Sequence, residues 1–402
     1  MSRMLQLKTD LIRFGREYFI YLMPSAFIVY LVLESYQIDF RPYYVAGKSI
    51  LYGLDPYFNH VNQYPEFYTP VNASRSPTSG WIYPPFAALL FVPLALLPYT
   101  NAKVIYSVMV LVILWLLFFE LIRNTQFKAK GETILFGLMS FPVLAAFERG
   151  QIDILVCYIT ILSFLIYKRN DQRVLPGFLL AIACCIKLFP CVAILYYFVK
   201  REFKLAAYTI GFIILLVLAP LSYFGTSIYT SYLKRIFPQF FGAITSPVAI
   251  STHGQDVINR VVMSIDSRGL RVTHDFVHGY MNPFLRNNPI GSLTVGTIAF
   301  FILMYYLRRA ETDHQFFSIV NSINLLNPQT WIMGLVWYIP LFVYLFDRAT
   351  HLGKFILILP LFMPPFTNSN GMLAYAVTLV FAIPQTQQKL LMPTSLINVR
   401  AD

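Results

Sequence analysis

The chain has 402 residues, of which 57% are hydrophobic and only 12% are charged. Because soluble domains carry about 25% charged residues, this composition excludes an ordinary soluble protein. The net charge of +12 does not indicate nucleic-acid binding, since the basic residues lie in short clusters between apolar runs, where membrane topology places them. We therefore predict an all-α polytopic membrane protein with about twelve transmembrane helices.

The first predicted segment spans 18–36 and follows a basic cluster that includes Arg3 and Arg16. The positive-inside rule places this cluster in the cytoplasm and therefore delivers Asp39 to the outer surface. A carboxylate at the boundary between water and lipid is costly and often functional, although it can also be a simple helix-end residue. Such a carboxylate could act as a general base toward a hydroxyl group.

A polar stretch rich in Tyr, Pro and Asn covers 40–82, and an apolar stretch interrupted by prolines follows over 83–98. If 83–98 crossed the membrane, every later basic cluster would change sides and the positive-inside rule would fail. We therefore predict that 83–98 is a helix lying in the outer interface. A re-entrant segment would satisfy the same requirement.

Three apolar segments are then predicted to cross the membrane in turn: 101–122, 132–147 and 152–167. A polar turn precedes the third of them on the outer side and contains Arg149, Gln151 and Asp153. A guanidinium, an amide and a carboxylate within a few residues are suited to binding hydroxyl and phosphate groups. The alternative interpretation is an ordinary outer loop whose charges neutralise one another.

Lys187 lies inside the apolar stretch 174–199, which has basic clusters at both ends. Both clusters stay in the cytoplasm if one short helix runs outward to Lys187 and a second returns from Pro190. A lysine in this position needs an anionic partner or access to water. A lipid-linked phosphate would meet that need, and snorkelling of the side chain to the interface is the alternative.

The remaining chain is predicted to form seven parts: a segment at 205–222, an outer loop at 223–290, and segments at 291–307, 315–327, 331–346, 354–365 and 371–384. The outer loop contains Arg260 together with His274 and His278. Its acids and histidines match no zinc or calcium spacing, so we favour a solvated loop and expect neither a metal nor a cofactor. Trp331 stands at the outer start of the segment 331–346. It is either an interfacial anchor or a stacking platform for a sugar ring.

Several motifs occur in a characteristic order: Asp39, Tyr43-Tyr44, Ala46, Gly53, Asp55-Pro56-Tyr57, Tyr83-Pro84-Pro85, Gly150-Gln151 and Ile186-Lys187-Leu188-Phe189-Pro190. Together they resemble glycosyltransferase family 87 over about the first half of the chain. The family comprises polyprenyl-phosphate-mannose-dependent α-mannosyltransferases and relatives with the GT-C fold. The resemblance implies a catalytic base at Asp39, a donor held in an outward-facing membrane cavity, and interfacial helices in the first outer loop.

The chain also departs from the family pattern. Asp153 stands where the family often has an asparagine. The Ser-Pro-x-Ser-Trp motif, which histidines follow in the family, appears here as 327–331 with no histidine directly after Trp331. These departures leave the role of a second imidazole and the choice of sugar open.

The resulting hypothesis is an inverting glycosyltransferase of the bacterial cytoplasmic membrane whose active site faces outward. Asp39 would deprotonate the acceptor hydroxyl, and Lys187 or Arg260 would balance the departing polyprenyl phosphate. Six residues would contact the sugar or the acceptor: Tyr44, Tyr83, Arg149, Gln151, Asp153 and Trp331. The expected partners are a polyprenyl-phosphate-linked sugar, with mannose expected, a glycolipid or glycan acceptor, and membrane lipids.

This hypothesis divides the chain into three regions: a catalytic membrane module over 1–222, which includes the first outer loop at 37–100, the outer loop at 223–290, and C-terminal helices at 291–402. A transporter or flippase of a lipid-linked precursor is one alternative. Transporters often show two repeated halves with matching broken helices, and no internal repeat is visible here. A scaffold without catalysis is the other alternative, and it makes Asp39 dispensable.

Overall fold

The computed structural model describes ten parts of the chain: 3–35, 37, 39–60, 63–64, 67, 81–124, 131–240, 289–326, 332–362 and 370–391. These residues form helices and the connections between them, with one isolated bridge between Ala349 and Leu391. The described protein is therefore all-α, as the composition predicted.

The described residues of the first half form nine α-helices: α1 (Arg3–Glu17), α2 (Leu22–Glu34), α3 (Phe40–Leu51), α4 (Pro85–Leu89), α5 (Val92–Ala95), α6 (Tyr99–Asn124), α7 (Gly131–Leu138), α8 (Phe141–Arg149) and α9 (Asp153–Asn170). A short 3₁₀ helix, Phe19–Tyr21, lies between α1 and α2. Our sequence interpretation treated 40–82 as a polar stretch. Its first part is instead α3, whose buried residues include Phe40, Tyr43 and Tyr44.

The second half contains α10 (Val174–Ile186), α11 (Val192–Val199), α12 (Phe203–Phe224), α13 (Ser227–Ser231), α14 (Phe237–Phe240), α15 (Pro289–Tyr306), α16 (Thr312–Asn321), α17 (Ile323–Leu326), α18 (Ile339–Phe346), α19 (His351–Phe362), α20 (Asn370–Ala382) and α21 (Pro384–Leu390). In the parts of this half that the structure describes, three 3₁₀ helices, Phe189–Cys191, Leu307–Arg309 and Ile332–Tyr338, and one π-helical turn, Tyr232–Ile236, lie between these helices. The beginning of the predicted outer loop 223–290 is therefore helical.

Two described helices, α6 and α12, are by themselves long and apolar enough to span a membrane. The number rises to four if the bent pairs α1–α2 and α7–α8 each count as one span. The predicted total of about twelve transmembrane helices is not confirmed, because most apolar segments form shorter or interrupted helices. Prolines contribute to these interruptions, since Pro142, Pro190 and Pro340 each stand in the first turn of a new helix.

The charged residues gather at two ends of the helix bundle. At the first end, six ion pairs among the described residues connect neighbouring helices and turns: Asp10–Arg123, Glu120–Arg169, Lys168–Asp313, Arg173–Glu202, Glu311–Arg348 and Glu132–Lys354. At the second end, Asp39 pairs with Arg149 and Asp153 pairs with Lys187. The 18 residues of α9 run from the second end to the first. At 1.5 Å per residue this separates the ends by about 27 Å, close to the ~30 Å hydrocarbon core of a bilayer.

Both ends of the stretch 83–98 lie at the second end of the bundle. The Tyr83 hydroxyl is 2.8 Å from that of Tyr43, and the Tyr44 hydroxyl donates to the carbonyl of Leu97 at 2.8 Å. Between these points α4 and α5 pack on α3, where a Cβ on Gly47 would lie 2.6 Å from the carbonyl oxygen of Phe91. The stretch therefore returns to the end where it began, as the positive-inside argument required.

Lys187 stands at the turn between α10 and the following 3₁₀ helix, at the second end of the bundle. Arg173, just before α10, and Glu202, after α11, pair with each other at the first end. The chain thus runs from the first end to the second along α10 and returns along α11. The 13 residues of α10 measure about 20 Å, which explains why this helix is too short to count as a complete span.

The 3₁₀ helix Ile332–Tyr338 and α18 are buried along their whole length. The 3₁₀ helix packs against α8, α9, α16 and α20 and therefore lies in the middle of the bundle. This position brings Trp337 to the beginning of α9.

Candidate functional site

Asp39 directly precedes α3, and its carboxylate forms a two-point contact with Arg149 at the end of α8. Arg149 donates from Nη2 to Oδ1 at 2.8 Å and from Nε to Oδ2. The backbone N–H of Asp39 also donates to the carbonyl of Arg149 at 2.8 Å. Paired contacts of this kind fix orientation as well as position. The Asp39 carboxylate is thus held at a defined angle at the polar end of the bundle, with its side chain 20% exposed.

Gln151 adds a second contact to the same carboxylate by donating from Nε2 to Oδ2 at 2.8 Å. Oδ2 therefore accepts two hydrogen bonds, whereas Oδ1 accepts one among the described residues. A carboxylate offers about four acceptor positions, two on each oxygen. Oδ1 of Asp39 is consequently the oxygen with capacity for a further donor, such as a hydroxyl group.

Gly150 allows Arg149 and Gln151 to converge on one carboxylate. It ends α8 in the left-handed conformation, with φ at +73°. A Cβ at this position would lie 2.6 Å from Cβ of Phe40 and 3.0 Å from Cβ of Gln37. Only glycine combines this backbone conformation with this close approach.

Gly150→Ala is expected to destabilise the protein and to reduce turnover sharply. The left-handed backbone costs an alanine about 1–2 kcal/mol, and the contact with Phe40 adds to this cost. Gly53→Ala is the matched control, because Gly53 also has a positive φ of +68° but no atom within 4 Å of the added Cβ. Thermal unfolding and turnover of both variants check this expectation. Equal losses in the two variants would contradict a role for the close approach at Gly150.

Gln37 fixes the segment before Asp39, and the sequence interpretation missed it. Its Nε2 donates to the carbonyl of Phe147 and to the hydroxyl of Ser107, both at 2.7 Å. The residue is buried and adopts φ +57°, which is uncommon for a non-glycine residue. This conformation has no sequence signal, so its contribution to the position of Asp39 is visible only in the structure.

Two tyrosines extend the hydrogen bonds around Asp39. The Tyr43 hydroxyl donates to Oε1 of Gln151 at 3.1 Å, and the Tyr83 hydroxyl lies 2.8 Å from that of Tyr43. Because Tyr43 has one hydroxyl proton, Tyr83 must donate to Tyr43. Burial raises the pKa of Tyr83 to about 12, so this hydroxyl keeps its proton at neutral pH. We name Asp39, Arg149, Gln151, Tyr43 and Tyr83 the carboxylate cluster.

A second group, here named the lysine cluster, consists of Lys187, Asp153 and Trp337. Nζ of Lys187 donates to both oxygens of Asp153 at 2.8 and 2.9 Å, and Nε1 of Trp337 donates to Oδ1 at 3.2 Å. The partner that a lysine in an apolar stretch requires is therefore Asp153, rather than a lipid phosphate alone or the interface. Asp153 begins α9 two residues after Gln151, so the two clusters are neighbours.

The structure thus brings six of the nine predicted site residues into these two neighbouring clusters: Asp39, Tyr83, Arg149, Gln151, Asp153 and Lys187. Within the protein, Arg149 binds Asp39, Asp153 binds Lys187, and the Tyr44 hydroxyl donates to the carbonyl of Leu97. Contact of these side chains with a sugar or an acceptor stays a prediction. Arg260 and Trp331 lie outside the described residues. Within those residues, no group of three or more His, Cys, Asp or Glu side chains is placed to hold a metal ion.

Fold and site together define a helical membrane protein in which polar groups converge on one carboxylate at one end of the bundle. The sequence profile of glycosyltransferase family 87 matches residues 81–328. The chain belongs to this family. No solved structure matches the chain.

Two curated relatives share the name polyprenol-phosphate-mannose-dependent alpha-(1-2)-phosphatidylinositol pentamannoside mannosyltransferase. The protein from Mycolicibacterium smegmatis is 27% identical over 170 residues, which cover 41% of this chain and 38% of the relative. The protein from Mycobacterium tuberculosis is 23% identical over 322 residues, which cover 76% of this chain and 65% of the relative. The matched part is thus less than two thirds of the length of either relative. The family match begins after Asp39, so any proposal for this residue rests on its geometry.

Proposed function

We propose that the protein is a membrane glycosyltransferase that transfers mannose from polyprenyl-phosphate-mannose to a lipid-linked or glycan acceptor. Membership of family 87 and the names of the two mannosyltransferase relatives support this reaction. The single observation that carries the proposal is the Asp39 carboxylate, which Arg149 and Gln151 orient at the polar end of the helix bundle.

In the proposed reaction Asp39 is the general base. The acceptor hydroxyl attacks C1 of the sugar from the face opposite the phosphate, which inverts the configuration at C1. The new bond between C1 and the acceptor oxygen forms as the bond between C1 and the phosphate oxygen breaks. Oδ1 of Asp39 receives the hydroxyl proton, and polyprenyl phosphate leaves with the bonding electron pair. No co-reactant is required.

Arg149 and Gln151 orient the base through three hydrogen bonds to its carboxylate. Tyr83 and Tyr43 hold the amide of Gln151 in the orientation that directs its NH₂ group to Asp39. The departing phosphate gains one negative charge, and Lys187 of the neighbouring cluster balances it, as proposed from the sequence. The proposal retains Arg260 for the same phosphate and Trp331 for the sugar ring.

The reaction is proposed to take place on the outer face of the cytoplasmic membrane. Arg123, Lys168, Arg169 and Arg348 lie at the end of the bundle opposite Asp39. Because basic clusters favour the cytoplasmic side, this arrangement directs the site outward.

Cysteine labelling tests this orientation. In a variant without the four native cysteines, a cysteine at Tyr52 should react with an impermeant maleimide in intact cells. A cysteine at Asn170 should react only after permeabilisation. Both positions are exposed. Tyr52 contacts Tyr64 of the predicted first outer loop, whereas Asn170 ends α9 at the first end of the bundle. Labelling of position 170 in intact cells would reverse the orientation.

Transfer itself is tested with the purified protein in lipid nanodiscs, tritiated polyprenyl-phosphate-mannose and a lipid extract that contains phosphatidylinositol mannosides. Label should move from the donor to a product that mild acid does not hydrolyse. In sealed vesicles, movement of intact donor across the membrane without transfer would instead support the flippase alternative.

A further inference from the structure

A chain of hydrogen bonds leads from the segment after α12 to the first outer loop. The hydroxyl of Ser231, the last residue of α13, donates to Oδ2 of Asp55. Oδ1 of Asp55 accepts the backbone N–H of Tyr57 at 2.9 Å. The Tyr57 hydroxyl in turn donates to the backbone carbonyl of Tyr83 at 2.7 Å. These bonds connect residues that are 176 positions apart in the sequence.

Two aromatic contacts reinforce this junction. The rings of Tyr57 and Tyr232 lie 5.7 Å apart, and the guanidinium of Arg235 lies 3.8 Å from the centre of the Phe58 ring. Tyr232 and Arg235 belong to the π-helical turn that follows α13. Turns of this kind are rare and frequently occur at functional sites.

A second series of hydrogen bonds begins at the side-chain hydroxyl of Tyr83 and passes through the carboxylate cluster. The Tyr83 hydroxyl donates to Tyr43, Tyr43 donates to Gln151, and Gln151 donates to Oδ2 of Asp39. Tyr57 is fully buried at 0% exposure. At a buried position, removal of one hydrogen-bonding partner leaves the other with no water to replace it. A displacement at Tyr57 can therefore be transmitted through the hydrogen bonds that follow.

We propose that Tyr57 is a positioning residue, through which the segment 227–236 sets the place of Tyr83 and hence the orientation of Gln151 at the catalytic carboxylate. Tyr57 acts through the carbonyl of Tyr83, to which its hydroxyl donates. This inference rests on the proposed function and assigns a role to a contact that family membership does not explain.

The test uses Tyr57→Phe in the full-length protein in nanodiscs, with the donor and lipid extract described above. The substitution removes one hydroxyl and keeps the ring contact with Tyr232. Turnover should fall about tenfold because small displacements of catalytic groups are costly, while KM for the donor and the melting temperature stay close to the original values. Tyr338→Phe is the matched control, since this buried tyrosine also donates to a backbone carbonyl, that of Leu357, outside both clusters.

Ser231→Ala should reproduce a smaller part of the effect. Ser227→Ala is its control, because Ser227 begins the same helix but donates locally to the carbonyl of Phe224. Unchanged turnover in an active Tyr57→Phe protein would overturn the inference. An equal decrease in the Tyr338→Phe protein would also overturn it, since the effect would then be general packing.

A double variant tests whether Tyr57 acts through Tyr83. If it does, Tyr57→Phe should add little to the loss caused by Tyr83→Phe, because substitutions in one network are not additive. If the turnover of the double variant falls by the product of the two single fold-decreases, Tyr57 does not act through Tyr83.

Carbodiimide labelling of Asp39, measured by mass spectrometry, separates this inference from the proposed function because it requires no turnover. Tyr57→Phe should change the labelling rate of Asp39 at least about threefold, since the Gln151 contact loses its support. An unchanged rate would overturn the positioning role. If the unsubstituted protein transfers no mannose while Tyr57→Phe still changes the labelling rate of Asp39, the result would contradict the proposed function alone.

Discussion

Asp39→Asn is expected to lower turnover by about two to four orders of magnitude, the usual contribution of a positioned general base. An amide cannot accept the proton of the attacking hydroxyl. The donor should still bind, because the proposed function assigns its phosphate to Lys187 and Arg260 rather than to Asp39. Turnover with labelled polyprenyl-phosphate-mannose and donor binding by equilibrium filtration measure the two properties separately.

Asp39→Asn removes the negative charge and also disturbs the hydrogen bonds that the carboxylate accepts. Both carboxylate oxygens accept bonds from Arg149, so an amide NH₂ on either side would face a donor. Asp313→Asn is the matched control, because the Asp313 carboxylate likewise accepts two bonds from one cation, Lys168, at 2.7 and 2.8 Å at the other end of the bundle. A comparable small loss of stability in both variants, with loss of turnover only at Asp39, would isolate the chemical role.

A retained turnover of one tenth or more in the Asp39→Asn protein would contradict the general-base role. Asp153→Asn and Asp55→Asn then indicate where the base lies, since both carboxylates are at the same end of the bundle. If none of these substitutions affects transfer, the general base is none of these three carboxylates, and its assignment to Asp39 is wrong.

Much of the helix arrangement could be predicted from the sequence because apolar runs and basic clusters are local signals. The turn at Lys187 and the return of 83–98 to its own end followed from the positions of charges alone. The number of complete spans could not be predicted. Hydropathy does not reveal that a segment such as 132–147 divides into α7 and α8, which are bent by 44°.

The candidate site was predictable where its residues are unusual for their surroundings, as Asp39 and Lys187 are. Their partners were less accessible, because Arg149 lies 110 positions from Asp39 and Trp337 lies 184 positions from Asp153. Tyr43 and Tyr57 belonged to recognised motifs, but their hydrogen bonds depend on how α3 packs. Trp337 looks like an ordinary core residue within an apolar run, so no sequence signal distinguished it.

The second large effect is expected for Lys187→Met. This substitution leaves the buried carboxylate of Asp153 with only the Trp337 indole as a donor among the described residues. Removal of one partner from a buried ion pair typically costs about 3–5 kcal/mol. A decrease in the melting temperature and a loss of folded protein should therefore accompany any loss of transfer, so the single variant cannot assign a role to Lys187.

The double variant Lys187→Met/Asp153→Asn separates stability from catalysis. It removes both charges and keeps an oxygen that can accept the Trp337 N–H, so most of the lost stability should return. A charge contact with the departing phosphate is worth roughly 1–4 kcal/mol near a protein surface. If Lys187 supplies this contact, the stable double variant should still transfer mannose at least about fivefold more slowly than the original protein. Each 1.36 kcal/mol of barrier is a factor of ten in rate.

Lys168→Met/Asp313→Asn is the matched control for the loss of an ion pair, because this pair has similar geometry at the opposite end of the bundle. It should leave transfer within about twofold of the original rate, as expected for sites far apart. If the Lys187→Met/Asp153→Asn protein is stable and transfers mannose as fast as this control, Lys187 only neutralises Asp153. The charge of the departing phosphate must then be balanced by another cation, for which Arg260→Met is the corresponding test.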